Sequence, residues 1–172
     1  VVMFNCSVTI DTTSQLNMLG STITLETSSF TTAGEITGAF TDIIRLQTST
    51  ITIAAGTPKL FPISFDFLDP SGILVVENES EFSGIITSAS SDFNIKAATT
   101  FSGSTVTLDG SLLHDTGLLL FSSESGSFAG FFHSTLSASG VEFGGTFIIN
   151  PFSTVTIFSD LIVSGDLSLS SG

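Results

Sequence analysis

Thr22-Ile23-Thr24-Leu25 and Thr50-Ile51-Thr52-Ile53 are the stretches on which the fold turns. Each alternates a hydroxyl residue with an aliphatic one. Successive side chains of an extended strand leave opposite faces, so such a tetrad buries its aliphatics and shows its hydroxyls to water. Thr, Ile and Val suit that half-buried pleated surface. The pattern recurs as Ser7-Val8-Thr9-Ile10, Thr105-Val106-Thr107-Leu108 and Thr154-Val155-Thr156-Ile157. The five starts are separated by 15, 28, 55 and 49 residues. The two long gaps read as double steps, which places degenerate copies at Glu81–Thr87 and at Ser134-Thr135-Leu136-Ser137. A strand-borne repeat of roughly 25–28 residues marks the coils of a solenoid. Ile23, Leu25, Ile51, Ile53, Val106, Leu108, Val155 and Ile157 are then expected inside. Thr22, Thr24, Thr50, Thr52, Thr105, Thr107, Thr154 and Thr156 form an outer hydroxyl face.

The surrounding sequence agrees. Asp109-Gly110, Thr116-Gly117, Ser125-Gly126 and Ser164-Gly165-Asp166 punctuate the chain as turns. Leu161-Ile162-Val163, Leu167-Ser168-Leu169 and Phe147-Ile148-Ile149 are too short for helices, and residues 14–19 allow one helical turn at most. Gly56 to Gly72 holds Pro58, Pro62 and Pro70. Proline cannot donate to an interior ladder, so this segment is expected as a lateral excursion from the coil, with a strand at Ser64–Phe67. The expectation is one all-β domain over residues 1–172, a parallel β-solenoid of about six coils, roughly 30 Å long at about 4.8 Å per coil. The alternative is an antiparallel β-sandwich of the pilin or fibre-subunit type.

Composition excludes several functions. The chain carries 16 Asp+Glu against three Lys+Arg, a formal charge of −13. Three cations cannot neutralise a phosphate backbone, which argues against nucleic-acid binding. Hydrophobic residues make up 41% and charged residues only 11%, unlike a disordered tail or a coiled coil. The longest apolar run, Leu118–Phe121, is far short of the roughly 18 residues of a membrane span. The single cysteine, Cys6, cannot pair within the chain, and reads as a small buried hydrophobe or an intermolecular thiol. The start at Val1 reads as a mature or excised product. Lysine scarcity with 29 Ser and 24 Thr suggests an extracellular surface.

The recurring hydroxyl–aliphatic strands with Gly/Asp turns resemble the right-handed parallel β-helices of secreted adhesins and autotransporter passengers. That resemblance covers most of residues 1–172 and implies an elongated, extracellular, often non-catalytic protein.

The candidate sites are few. Glu77, Glu79 and Glu81 alternate, so one extended strand would project three carboxylates from one face, a candidate calcium site or an acidic edge strip. Asn5 and Asn78 head glycosylation sequons, Asn5-Cys6-Ser7 and Asn78-Glu79-Ser80. His114-Asp115 is expected in a turn and His133 beside Phe131-Phe132. No Gly-x-Ser-x-Gly elbow makes a triad of them, and no cofactor is expected. Arg45, Lys59 and Lys96 lie far apart in the chain, which disfavours a lyase of acidic sugars. Val1, Val2, Met3, Phe4, Leu167 and Leu169 are apolar at the two ends and are the expected assembly residues. The expected function is therefore an extracellular filament or adhesin-stalk subunit that pairs with itself end to end and meets glycans or a cell surface. The alternatives are ice binding by Thr-x-Thr strands, and carbohydrate binding or processing.

Overall fold

A computed structural model describes residues 1–56, 59–68, 71–89 and 91–101, and beyond these chiefly the strands between 105 and 169. The chain winds as a parallel β-solenoid, as the alternating tetrads predict. Among the described residues every strand pairing is parallel, so the antiparallel sandwich is not the fold.

Each turn visits three walls. Wall A stacks Val2–Phe4, Thr22–Glu26, Ile43–Gln47, Ser64–Phe67, Ile86–Ala89, Thr105–Asp109, Phe128–Phe132, Thr146–Ile149 and Asp166–Leu169. Wall B stacks Ser7–Ile10, Ser29–Thr32, Thr50–Ile53, Ile73–Val76, Asp92–Ile95, Leu112–Asp115, Thr135–Ala138 and Thr154–Ile157. Wall C begins with Gln15–Asn17 on Glu35–Thr37 and continues from Lys59–Phe61 through Ser80–Phe82, Thr99–Phe101, Leu118–Phe121 and Gly140–Phe143 to Leu161–Val163. Nine strands of wall A, about 4.8 Å apart, make a rod about 38 Å long.

Successive turns are shorter than the sequence spacing suggested. Paired residues lie 18 apart at the closest, Phe128 to Thr146, and 23 at the widest, Thr50 to Ile73. The five tetrads also do not share one wall. Thr22 and Thr105 begin strands of wall A, whereas Ser7, Thr50 and Thr154 begin strands of wall B. Wall B follows wall A by seven residues, Thr22 to Ser29, so a separation of 28 is one 21-residue turn plus that offset. Near the expected copy at Ser134–Ser137, wall B has the strand Thr135–Ala138, one residue later in phase, with Leu136 fully buried; Ser134 lies outside the described residues. The other is divided between Ser80–Phe82 and Ile86–Ala89.

The core is one continuous column. Ile23, Ile44, Phe65, Ile86 and Val106 stack inside wall A, and Phe30, Ile51, Leu74, Phe93 and Leu136 inside wall B. Each such side chain contributes roughly 1.5–3 kcal/mol by leaving water. Inside wall C, Phe61 and Phe82 stack at 5.1 Å and Phe82 and Phe101 at 5.5 Å. Phe65 of wall A meets Phe82 edge-on at 5.6 Å. Val155 and Ile157 are half-buried rather than buried, because they lie on the outermost strand of wall B. The side chain of Leu108 lies outside the described set.

The corner from wall A to wall B repeats too. Asn5, Thr27 and Thr48 take left-handed backbone conformations, with φ of 48°, 49° and 50°. Each is followed by a small side chain turned inward: Cys6, Ser28 and Ser49. The Ser49 hydroxyl accepts from the Ser28 N–H at 3.0 Å, and the Ser28 hydroxyl from the Cys6 N–H at 3.2 Å. Each hydroxyl thus satisfies a backbone donor of the neighbouring turn that would otherwise be orphaned. Cys6 holds a position in this ladder, half-buried, with its Sγ 3.5 Å from Ser28 Oγ.

Two expected features take a different form. The Gly56–Gly72 segment is not a lateral excursion. It supplies Lys59–Phe61 to wall C and Ser64–Phe67 to wall A, and Pro62 sits at the corner between them, where no ladder donor is needed. Pro58 and Pro70 lie outside the described residues. Residues 15–17 are a strand of wall C and not a helical turn.

Candidate functional site

With the inner faces filled by hydrophobes, the chain's distinguishing chemistry lies on the outer faces. The eight predicted threonines are divided between two walls. Thr22 and Thr24 lie outward and half-buried on wall A, and Thr50 and Thr52 do the same on wall B. Thr154 and Thr156 are exposed on wall B. Thr105 and Thr107 lie in the strand Thr105–Asp109 of wall A, Thr107 paired with Thr87, and their side chains lie outside the described set.

Wall B carries the continuous feature. Ser7 pairs with Ser29 and Ser29 with Thr50, while Thr9 pairs with Thr31 and Thr31 with Thr52. Three adjacent strands therefore present two parallel columns of hydroxyls, and the Ser29 hydroxyl donates to that of Ser7 at 3.0 Å. The next strand continues the columns with Ile73 and Val75, and Asp92 and Asn94 follow. Farther along, Thr135 and Ser137 pair with Thr154 and Thr156. The tetrad motif overlooked Ser29 and Thr31 because its second and fourth positions, Phe30 and Thr32, both fail. Thr32 turns inward, fully buried, and donates to the Gly34 carbonyl at 3.0 Å. A two-residue signal, hydroxyl-x-hydroxyl at 21–22-residue spacing, would have found the strand.

Wall A is mixed across turns two to five. Thr24, Arg45, Asp66 and Thr87 form its outward column. Arg45 Nε meets Asp66 at 3.3 Å, and the Thr87 hydroxyl donates to the other Asp66 oxygen at 2.7 Å. Glu26 and Gln47 pair beside them.

The acidic strip is not one strand. The chain turns at residues 77–79, between Ile73–Val76 and Ser80–Phe82, so Glu77, Glu79 and Glu81 do not share a face. Glu77 accepts from Lys96 Nζ at 2.8 Å. Glu79 and Glu81 instead border an open cleft of about 220 Å³ with Lys59, Leu60, Ser80 and Thr100. Among the described residues no three His, Cys, Asp or Glu side chains gather as a metal site. The geometry thus withdraws the calcium candidate. Asn78 is buried at the turn, 8% exposed, and a glycan there would force it out of the wall; Asn5 is exposed at the A–B corner.

The remaining candidates are dispersed. His114 lies in the strand Leu112–Asp115 between Asn94 and Ser137, not in a turn. His133 lies outside the described residues. Val1, Val2 and Phe4 are exposed, with Met3 half-buried against the core. Leu167 and Leu169 are exposed on the far strand of wall A. Asp11, in the loop after the first strand of wall B, accepts from the Ser14 hydroxyl at 2.8 Å, and from the Thr13 hydroxyl and N–H at 2.8 and 3.0 Å. These bonds, Ser14's foremost, hold its carboxyl below the usual range. No described helix is long and apolar enough to cross a membrane. Comparison with protein-family models, curated proteins and solved structures finds no match for this chain.

Proposed function

We propose that this chain is a non-enzymatic extracellular structural protein, a length of rod in a surface filament or adhesin stalk. The observation that carries the reading is the unbroken parallel ladder of wall A, from Val2–Phe4 to Asp166–Leu169. Such a rod extends along its axis by adding one more parallel strand per wall, with no new kind of contact. The exposed Val2, Phe4, Leu167 and Leu169 on the outermost strands of wall A gain burial from that addition. Arg45 and Lys96, which a lyase of acidic sugars would turn towards its substrate, are each engaged by a carboxylate of this chain.

Negative-stain electron microscopy of the purified protein over rising concentration tests the reading. Rods lengthening from about 40 Å in steps of one protein length support end-to-end extension. Discrete single particles at every concentration contradict it.

A further inference from the structure

The hydroxyl columns of wall B have properties that rod formation does not require. Ser7, Thr9, Ser29, Thr31, Thr50 and Thr52 occupy every outward strand position on three adjacent turns. None is charged, although the chain carries 16 carboxylates and wall A places Glu26 and Arg45 on the second and third of these turns. Spacing is fixed by the backbone: about 4.8 Å between strands and roughly 7 Å between alternate residues of one strand. Threonine holds few rotamers, so its hydroxyl and methyl are positioned before any partner arrives, which lowers the entropic cost of binding. A hydroxyl both donates and accepts, whereas a carboxylate only accepts and an ammonium only donates.

We propose that this face of wall B binds ordered water, the surface of ice. The partner that suits a neutral, rigid, two-dimensional array of donor-acceptor groups is itself neutral, rigid and periodic, with each partner atom both donating and accepting. Water in a crystal meets every term, and the hydroxyls can match either orientation of a lattice water. A crystalline polysaccharide is the weaker fit, because flat sugar faces stack on aromatic rings and these six positions hold none. The proposal is independent of end-to-end extension, since a single rod presents the whole face.

The test is ice affinity of the purified chain. The amount of protein carried into slowly grown ice is measured alongside crystal shape and the gap between melting and freezing. The wild type should enter the ice, facet the crystals and open that gap. Thr31→Tyr, a bulky residue at the centre of the array, should fall to the level of a non-binding control. Thr24→Tyr, the outward position of wall A on the same turn, should bind as the wild type does. Circular dichroism checks folding, and Thr52→Lys on the same face serves if Thr31→Tyr misfolds. Exclusion of the wild type from ice overturns the proposal. So does equal loss in Thr24→Tyr, retention in both wall B variants, or binding to crystalline polysaccharide with none to ice.

Discussion

Walls A and B stand on the same turns, five to nine residues apart in the chain, and differ chiefly in what they show to water. Inside, both are columns mainly of Ile, Leu, Val and Phe, with Ser88 of wall A and Thr32 of wall B also turned inward. Outside, wall A mixes Thr24 with Arg45 and Asp66, tied by an ion pair and a threonine bond, while wall B shows only hydroxyls on its first three turns before Ile73 and Val75 follow. Packing dictates the inner face, because each side chain there meets neighbours from the turns above and below. The outer face is under no such constraint. Its regularity on one wall alone is therefore the feature that calls for a function.

The largest expected effect tests whether the inner faces are equivalent. Leu46 of wall A and Ile51 of wall B are both fully buried. Leu46→Asp and Ile51→Asp should each cost about 4 kcal/mol or more, since both bury an unpaired charge. Urea denaturation measures this, and tolerance of Asp in one wall alone would break the equivalence. Next comes the corner that joins the walls. Ser28→Ala removes a hydroxyl that accepts from the Cys6 N–H and lies 2.8 Å from the Glu26 carbonyl. It should cost about 1–3 kcal/mol, whereas the outward Ser29→Ala should stay within about 0.5 kcal/mol. The same denaturation series compares them.

A smaller contrast sharpens the difference outside. Arg45→Ala on wall A breaks a half-exposed ion pair and should cost no more than about 1 kcal/mol, less at high salt. Thr52→Val on wall B should show no salt dependence. Equal salt sensitivity in the two variants would mean that wall B is not the neutral face described. The smallest effect concerns Asp11. Its carboxyl is depressed in the fold, so its stabilisation is complete above the unfolded value and is lost as pH falls through the folded one. Wild type should exceed Asp11→Asn in stability at neutral pH, with the gap closing below about pH 4. A gap that persists to pH 2 would contradict the hydrogen-bonded carboxylate.

Much of this was legible from alternation alone. Ile23, Leu25, Ile51, Ile53 and Val106 are inside, where period-two reading puts them, and the parallel solenoid follows from their recurrence. The phase was not legible. Two walls offset by seven residues at the tetrads scramble a turn of 18–23 into gaps of 15, 28, 55 and 49, so the tetrad threonines read as one face although they lie on two walls. Prolines misled at 56–72, because a solenoid corner accommodates Pro62 as readily as an excursion does. The acidic strip misled because Glu77–Glu79 is a corner, and alternation carries no meaning across a corner. Ser29 and Thr31 stayed hidden because the inward Phe30 and Thr32 both break the tetrad while leaving the outward pair intact.

The central claim is that wall B is a single parallel stack with Thr9 and Thr156 in the same outward column, seven strand steps apart. Pulsed electron–electron spin resonance between nitroxides at those two positions measures it most directly. The background would be Cys6→Ser, a residue the ladder already uses at Ser28 and Ser49. Seven steps predict a single narrow distance of about 34 Å. A distance below about 25 Å, or a broad distribution, would contradict the stack, and with it the hydroxyl face.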